Sequence, residues 1–140
     1  MEYLPASDYV GVSFWLVSVA MVASTVFFLY EGMYVKASWR LSMLLMALVT
    51  LIAGIHYYYM RGYWLSTGES PIVYRYIDWL LTVPLQMIEF YLILVAAGLA
   101  VSSGIFWRLL IGTLVMLLGG YAGENNWINP ALGFVIGMAG

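Results

Sequence analysis

An all-α transmembrane fold is predicted by three observations. Apolar residues make up 64% of the chain and charged residues only 9%, where soluble domains run near half and near a quarter. The apolar residues gather into runs of about 20, the length that crosses a bilayer as a helix. Short turns carrying glycine and charge separate the runs, and 140 residues hold at most about five such spans with nothing left for a soluble domain.

The first span is expected over residues 8–30. Ser7 or Asp8 can cap it, and Val10 to Leu29 carries no charge. Ahead of it, Met1-Glu2-Tyr3-Leu4-Pro5 lacks the basic and short apolar regions of a cleavable signal, so the start reads as mature sequence or a truncation point. The turn Glu31-Gly32-Met33-Tyr34-Val35-Lys36 leads to a second span over 39–60, whose one ionisable group past Arg40 is His56.

Arg61-Gly62 and Gly68-Glu69-Ser70-Pro71 supply the next turn. Ser70 before Pro71 has the pattern of an N-cap followed by proline at the first helical position, which starts a third span over 71–97. A small-residue loop, Gly98 to Gly104, precedes a fourth span over 105–121, which Gly123-Glu124-Asn125-Asn126 is expected to end. A fifth begins near Trp127 and is incomplete at Gly140.

Loop charge orients the helices. Lys36, Arg40 and Arg108 fall at one side and only Arg61, beside Glu69, at the other, which puts the first side in the cytoplasm and the N-terminus outside. The sequence has no cysteine, so disulfides and thiolate metal sites are excluded, and the lone His56 builds no zinc site by itself. Its five cations are scattered singly, which argues against nucleic-acid binding and against a polybasic lipid patch.

The third span carries Arg75, Asp78 and Glu89 where the rest reads as lipid-soluble. Each such group costs several kcal/mol in a bilayer unless it is paired or neutralised. With Asp78 at zero on a helical projection, Glu89 falls at about 20°, Thr82 at about 40°, Arg75 at about 60°, Gln86 at about 80° and Trp79 at about 100°. The six share one face, and Leu80, Leu81 and Leu85 lie elsewhere, so the polar face is expected to look into the bundle. Along the axis Asp78 and Glu89 stand about 16 Å apart, too far for direct proton exchange or for a paired-carboxylate hydrolytic site. Pro84 between them cannot donate its backbone bond, and a kink or local opening is expected there. Arg75, one turn before Asp78, is expected to hold that carboxylate ionised, whereas Glu89 has no cation in reach along its helix. The opposing interpretation is a buried Arg75–Asp78 ion pair with Glu89 bonded to a neighbouring helix.

The stretch Tyr59-Met60-Arg61-Gly62, then Ser70-Pro71, then Arg75-Tyr76-Ile77-Asp78-Trp79-Leu80-Leu81-Thr82-Val83-Pro84-Leu85, resembles the third helix of the proteorhodopsins, members of the microbial rhodopsin family. The likeness extends to Gly11-Val12-Ser13-Phe14-Trp15-Leu16, to Glu89-Phe90-Tyr91-Leu92-Ile93-Leu94, and to Leu114-Val115-Met116-Leu117 with Gly120-Tyr121 and Gly123-Glu124. It implies the first five helices, the fifth incomplete, of a seven-helix bundle, so that residues 1–140 form a truncated rhodopsin domain. It also implies a light-driven outward proton pump with all-trans retinal in the bacterial inner membrane, a transporter and photoreceptor, not an enzyme.

By the same resemblance, Asp78 is the Schiff-base counterion and proton acceptor, Glu89 the cytoplasmic proton donor, and Thr82 the third member of their motif. His56 resembles the second-helix histidine that pairs with the counterion and shifts its proton affinity. Trp15 resembles that histidine's aromatic neighbour across a protomer contact, in a homo-oligomer of five or six copies. Trp79, Thr82, Gln86 and Met116 align with retinal-pocket residues, and Gln86 is the pattern of blue-absorbing members. Packing alone is the plainer interpretation of His56, Trp79 and Met116, and close helix contact that of Gly119, Gly120 and Gly123.

The family's retinal-bearing lysine has no match here. The one lysine, Lys36, lies in the first loop, so the attachment lysine is expected beyond Gly140. Two other interpretations stand beside the pump: a short helical membrane protein with a structural or associative role, and a photosensory or other-ion rhodopsin.

Overall fold

The computed structural model describes residues 5–140, and the leading Met1–Leu4 stretch read above for a signal lies outside the described residues. The described chain folds into five helices: α1 (Tyr9–Tyr34), α2 (Ala37–Thr67), α3 (Ile72–Ala96), α4 (Ser103–Glu124) and α5 (Pro130–Ala139). The first four are long and apolar enough to cross a membrane. Helix α5, at 10 residues, rises only about 15 Å.

Burial is inverted relative to a water-soluble protein. Ser18, Thr25, Ser42, Thr50, Asp78 and Thr82 are buried, whereas Leu16, Val26, Ile55, Leu118 and Phe134 are exposed. Small and polar side chains at the contacts, with bulky apolar ones outside, is the arrangement a lipid solvent favours. Buried Gly11, Ser18 and Thr25 of α1 recur every seven residues along the seam with α2. There Thr25 and Thr50 share a hydrogen bond of 2.9 Å, and a Cβ on Gly54 would stand 3.2 Å from Met21 Cβ.

Among the described residues each helix packs only on its neighbours in the chain, α1 on α2, α2 on α3, α3 on α4 and α4 on α5. The result is an open arc with α1 and α5 at its ends. At the α4–α5 edge the backbones come close enough that a Cβ on Gly133 would meet Gly123 Cα at 2.8 Å, and one on Gly119 would meet the Ile136 side chain at the same distance.

Several helix ends differ from the sequence expectation. Helix α1 runs to Tyr34 instead of Tyr30. Helix α2 continues past Met60 to Thr67, and Gly68 at φ 69° ends it. One glycine inside a helix costs only about 1 kcal/mol, and contacts around Gly62 offset that. Met60 is fully buried, the Arg61 guanidinium lies 5.6 Å over the Trp15 ring, and Trp64 Nε1 donates to the Asp8 carboxylate at 3.1 Å. Asp8 also accepts from Gly11 N and so caps α1.

At the start of α3 the cap position is Pro71, not Ser70, and no side chain bonds to the first turn. The other end closes on Gly98 at φ 82°, with Leu99 N donating to Leu94 O, the pattern of a glycine-terminated helix. Helix α4 begins at Ser103 and absorbs Gly123 and Glu124, and Asn126 makes the turn at φ 56°. Helix α5 starts at Pro130 and not near Trp127, because Asn129 caps it by accepting from Ala131 N and proline suits the first turn.

Candidate functional site

Helix α3 lies between α2 and α4, and its polar face is divided between two surroundings. Asp78 and Thr82 are buried, Glu89 is half-buried, and Gln86 is exposed. The helix runs unbroken through Pro84, so the expected opening is not a break in the helix.

Helix α2 supplies a partner to each carboxylate. His56 Nδ1 stands 3.5 Å from Asp78 Oδ1 and 2.9 Å from the carbonyl of Ile52. The shorter contact places the Nδ1 proton toward the carbonyl, and Asp78 Oδ1 is buried with no hydrogen-bond partner. Thr82 does not reach the Asp78 carboxylate; its hydroxyl donates to the Asp78 backbone oxygen at 2.9 Å. At the other end Ser42 Oγ donates to Glu89 Oε1 at 3.2 Å. Because α2 and α3 are antiparallel, His56 and Ser42, about four turns apart on α2, meet Asp78 and Glu89 in reverse order.

Arg75 departs from expectation. Its Nη2 pairs at 3.2 Å with Oε2 of Glu124, the last residue of α4, and its guanidinium lies 5.5 Å over the Trp79 ring. Among the described residues the one ion-pair contact of Asp78 is with His56. Neither the Arg75–Asp78 pair nor an Arg75 that holds Asp78 ionised by direct contact is therefore present. Glu124 was read from sequence as a helix-ending loop residue, and Ser42 was not singled out. Ser42 could have been found as a hydroxyl on the His56 side of α2, but Glu124 is brought to Arg75 only by the packing of α4 on α3.

The retinal-pocket candidates also divide. Trp79 and Met116 line one open cleft of about 420 Å³, together with Tyr76, Val83, Gly120 and Phe134 from α3, α4 and α5. That is a usual size for a small-molecule site, and the lining is almost wholly apolar and aromatic, which suits a polyene. Thr82 and Gln86 do not line it. Gly120 belongs to this wall because a Cβ there would stand 2.8 Å from the Tyr76 hydroxyl. Tyr76 packs edge-on against both Trp79 and Tyr121. Trp15 is exposed and lines an apolar groove between α1 and α2 with Gly54, Ile55 and Tyr58.

The chain is 56% identical over 137 residues to a blue-light absorbing proteorhodopsin of Gamma-proteobacterium Hot 75m4, covering 98% of this chain and 54% of the relative. It is 57% identical over 134 residues to a green-light absorbing proteorhodopsin of Gamma-proteobacterium EBAC31A08, covering 96% of this chain and 53% of the relative. The chain thus spans about half the length of the curated relatives it matches.

Among solved structures, the blue light-absorbing proteorhodopsin from Med12 superimposes with a TM-score of 0.83 at 50% identity, over 94% of this chain and 62% of that one. Xanthorhodopsin, described as a light-driven ion pump with dual chromophore, gives a TM-score of 0.68 at 32% identity, over 83% of this chain and 51% of that one. The bacteriorhodopsin-like protein family matches residues 8–140. With four membrane-crossing helices, a buried carboxylate on α3 and a family match over nearly its whole length, the chain belongs to the bacteriorhodopsin-like proteins.

Proposed function

We propose that these residues are the early helices of a retinal-dependent, light-driven outward proton pump, a transporter and not an enzyme. The observation that carries the proposal is the pair of α3 carboxylates, each facing a polar side chain of α2: Asp78 with His56 and Glu89 with Ser42.

Asp78 acts as the proton acceptor. Its Oδ1 is buried and free of hydrogen bonds, so a proton arriving there meets no donor already in place. His56 faces the same oxygen and adjusts how firmly that proton is held. Glu89 acts as the donor from the other end of the helix, and Ser42 stabilises the carboxylate left behind when the proton departs. With the N-terminus outside, α3 runs inward, so a proton moving from the Glu89 end to the Asp78 end moves outward.

Trp79 and Met116 would hold the polyene in the cleft shared by α3, α4 and α5, and Gln86 is assigned to colour tuning from the resemblance alone. When bound, retinal supplies light absorption and an imine nitrogen that carries the transported proton. Lys36 is exposed at the cap of α2 and does not line that cleft, so it is not the lysine that forms the imine. A multi-pass position in the bacterial inner membrane and self-association across the Trp15 face complete the reading.

The donor role is tested by Glu89→Gln in a full-length protein that carries this chain. Recovery of the photocycle should slow with little change in pigment colour, and azide should partly restore it. Unaltered recovery would remove Glu89 from the role.

A further inference from the structure

Arg75 is the cation nearest to Asp78 in sequence on α3, yet it serves a different carboxylate. Its guanidinium is drawn to the end of α4, where Nη2 meets Glu124 Oε2 at 3.2 Å. Its Nε is buried without a partner, and so is Asp78 Oδ1. Two groups of opposite charge, about one helical turn apart on one face, each retain an unmet polar atom while the arginine is engaged elsewhere. The surroundings allow Arg75 a choice: Trp79, whose ring the guanidinium overlies, offers a surface along which it can turn, and the Arg75 and Glu124 side chains are 33% and 41% exposed. A pair so open to its surroundings adds little to stability.

We infer that Glu124 is a positioning residue which holds Arg75 away from Asp78 and so leaves the Asp78 carboxylate to His56. The inference rests on the pump reading only for its consequence, since the contact itself is a matter of geometry. Among the described residues, the charged and titratable groups facing Arg75 and Asp78 are Glu124 from α4, His56 from α2, and Tyr76 on α3 itself, whose hydroxyl approaches Gly120 of α4. With Glu124 uncharged, Asp78 is the nearest carboxylate that Arg75 can reach from its own helix.

The test is solid-state NMR of a full-length protein carrying this chain in lipid bilayers, with couplings measured between the Arg75 guanidinium nitrogens and side-chain carboxyl carbons. In the unsubstituted protein Arg75 should couple to Glu124 and not to Asp78. In Glu124→Gln the ion-pair coupling should move to Asp78, and the His56 Nδ1 resonance should shift as its carboxylate neighbour acquires a second partner. Glu124→Asp, which keeps the charge and shortens the side chain by one methylene, should restore the original pattern.

A merely structural role for Glu124 would leave the His56 resonance in place. An Arg75–Asp78 coupling already present in the unsubstituted protein would overturn the inference, as would its absence from Glu124→Gln. Should Glu124→Gln fail to fold, Glu124→Ala removes the same charge, and the absence of an Arg75–Asp78 coupling from it would likewise overturn the inference. Because the readout is a distance, failure here is distinguishable from failure of the pump reading, which is decided by proton movement.

Discussion

Ser42 of α2 donates a hydrogen bond to Glu89 Oε1 of α3 at 3.2 Å, and Ser42 itself is buried. On the proposed donor role, this bond takes part in the step by which Glu89 gives up its proton.

Ser42→Ala should therefore slow recovery of the photocycle in a full-length protein. A hydrogen bond of this kind is worth about 1 kcal/mol, or about five-fold in rate. Flash photolysis with time-resolved absorption measures it, and a recovery time equal to that of the unsubstituted protein would detach Ser42 from the transfer step.

The α4–α5 contact is governed by backbone proximity. A methyl group on Gly133 would meet Gly123 Cα at 2.8 Å and Gly119 O at 2.9 Å, and backbone atoms cannot swing aside. Gly133→Ala should cost about 1–3 kcal/mol. Gly62→Ala, with nothing within 4 Å of the new methyl, should be neutral or stabilising by up to about 1 kcal/mol. Denaturant unfolding in mixed micelles compares the two, and equal effects would contradict the packing described.

Lys36, exposed at the cap of α2, is the one amine-bearing side chain in the sequence. All-trans retinal added to the 140-residue chain should form no covalent pigment. A visible band that can be fixed to Lys36 by borohydride would contradict this.

Much of the fold was legible because a bilayer imposes a coarse rule: long apolar runs become helices, and the ionisable residues within them turn inward. The α3 constellation was legible for the same reason, since Asp78, Thr82 and Glu89 are conspicuous in an apolar run. Helix ends were less so. Arg61-Gly62 reads as a turn, yet Trp15, Met60 and Trp64 hold α2 helical through it.

The partners of the α3 residues lay beyond a one-dimensional pattern. Glu124 meets Arg75 only because α4 packs on α3, and a projection of α3 alone pairs Arg75 with Asp78. The same projection set Trp79, Thr82 and Gln86 on one face without separating Thr82, which is buried, from the cleft toward α4 and α5, where Trp79 lies.

The central claim is that Asp78 accepts the transported proton. It is tested most directly by illuminating cells that express a full-length protein carrying this chain, supplied with all-trans retinal, and recording the pH of the medium. The unsubstituted protein should acidify the medium in the light, with the signal abolished by a protonophore, and Asp78→Asn should leave the pH unchanged. If Asp78→Asn still acidified the medium at the normal rate, the mechanism set out here would be wrong.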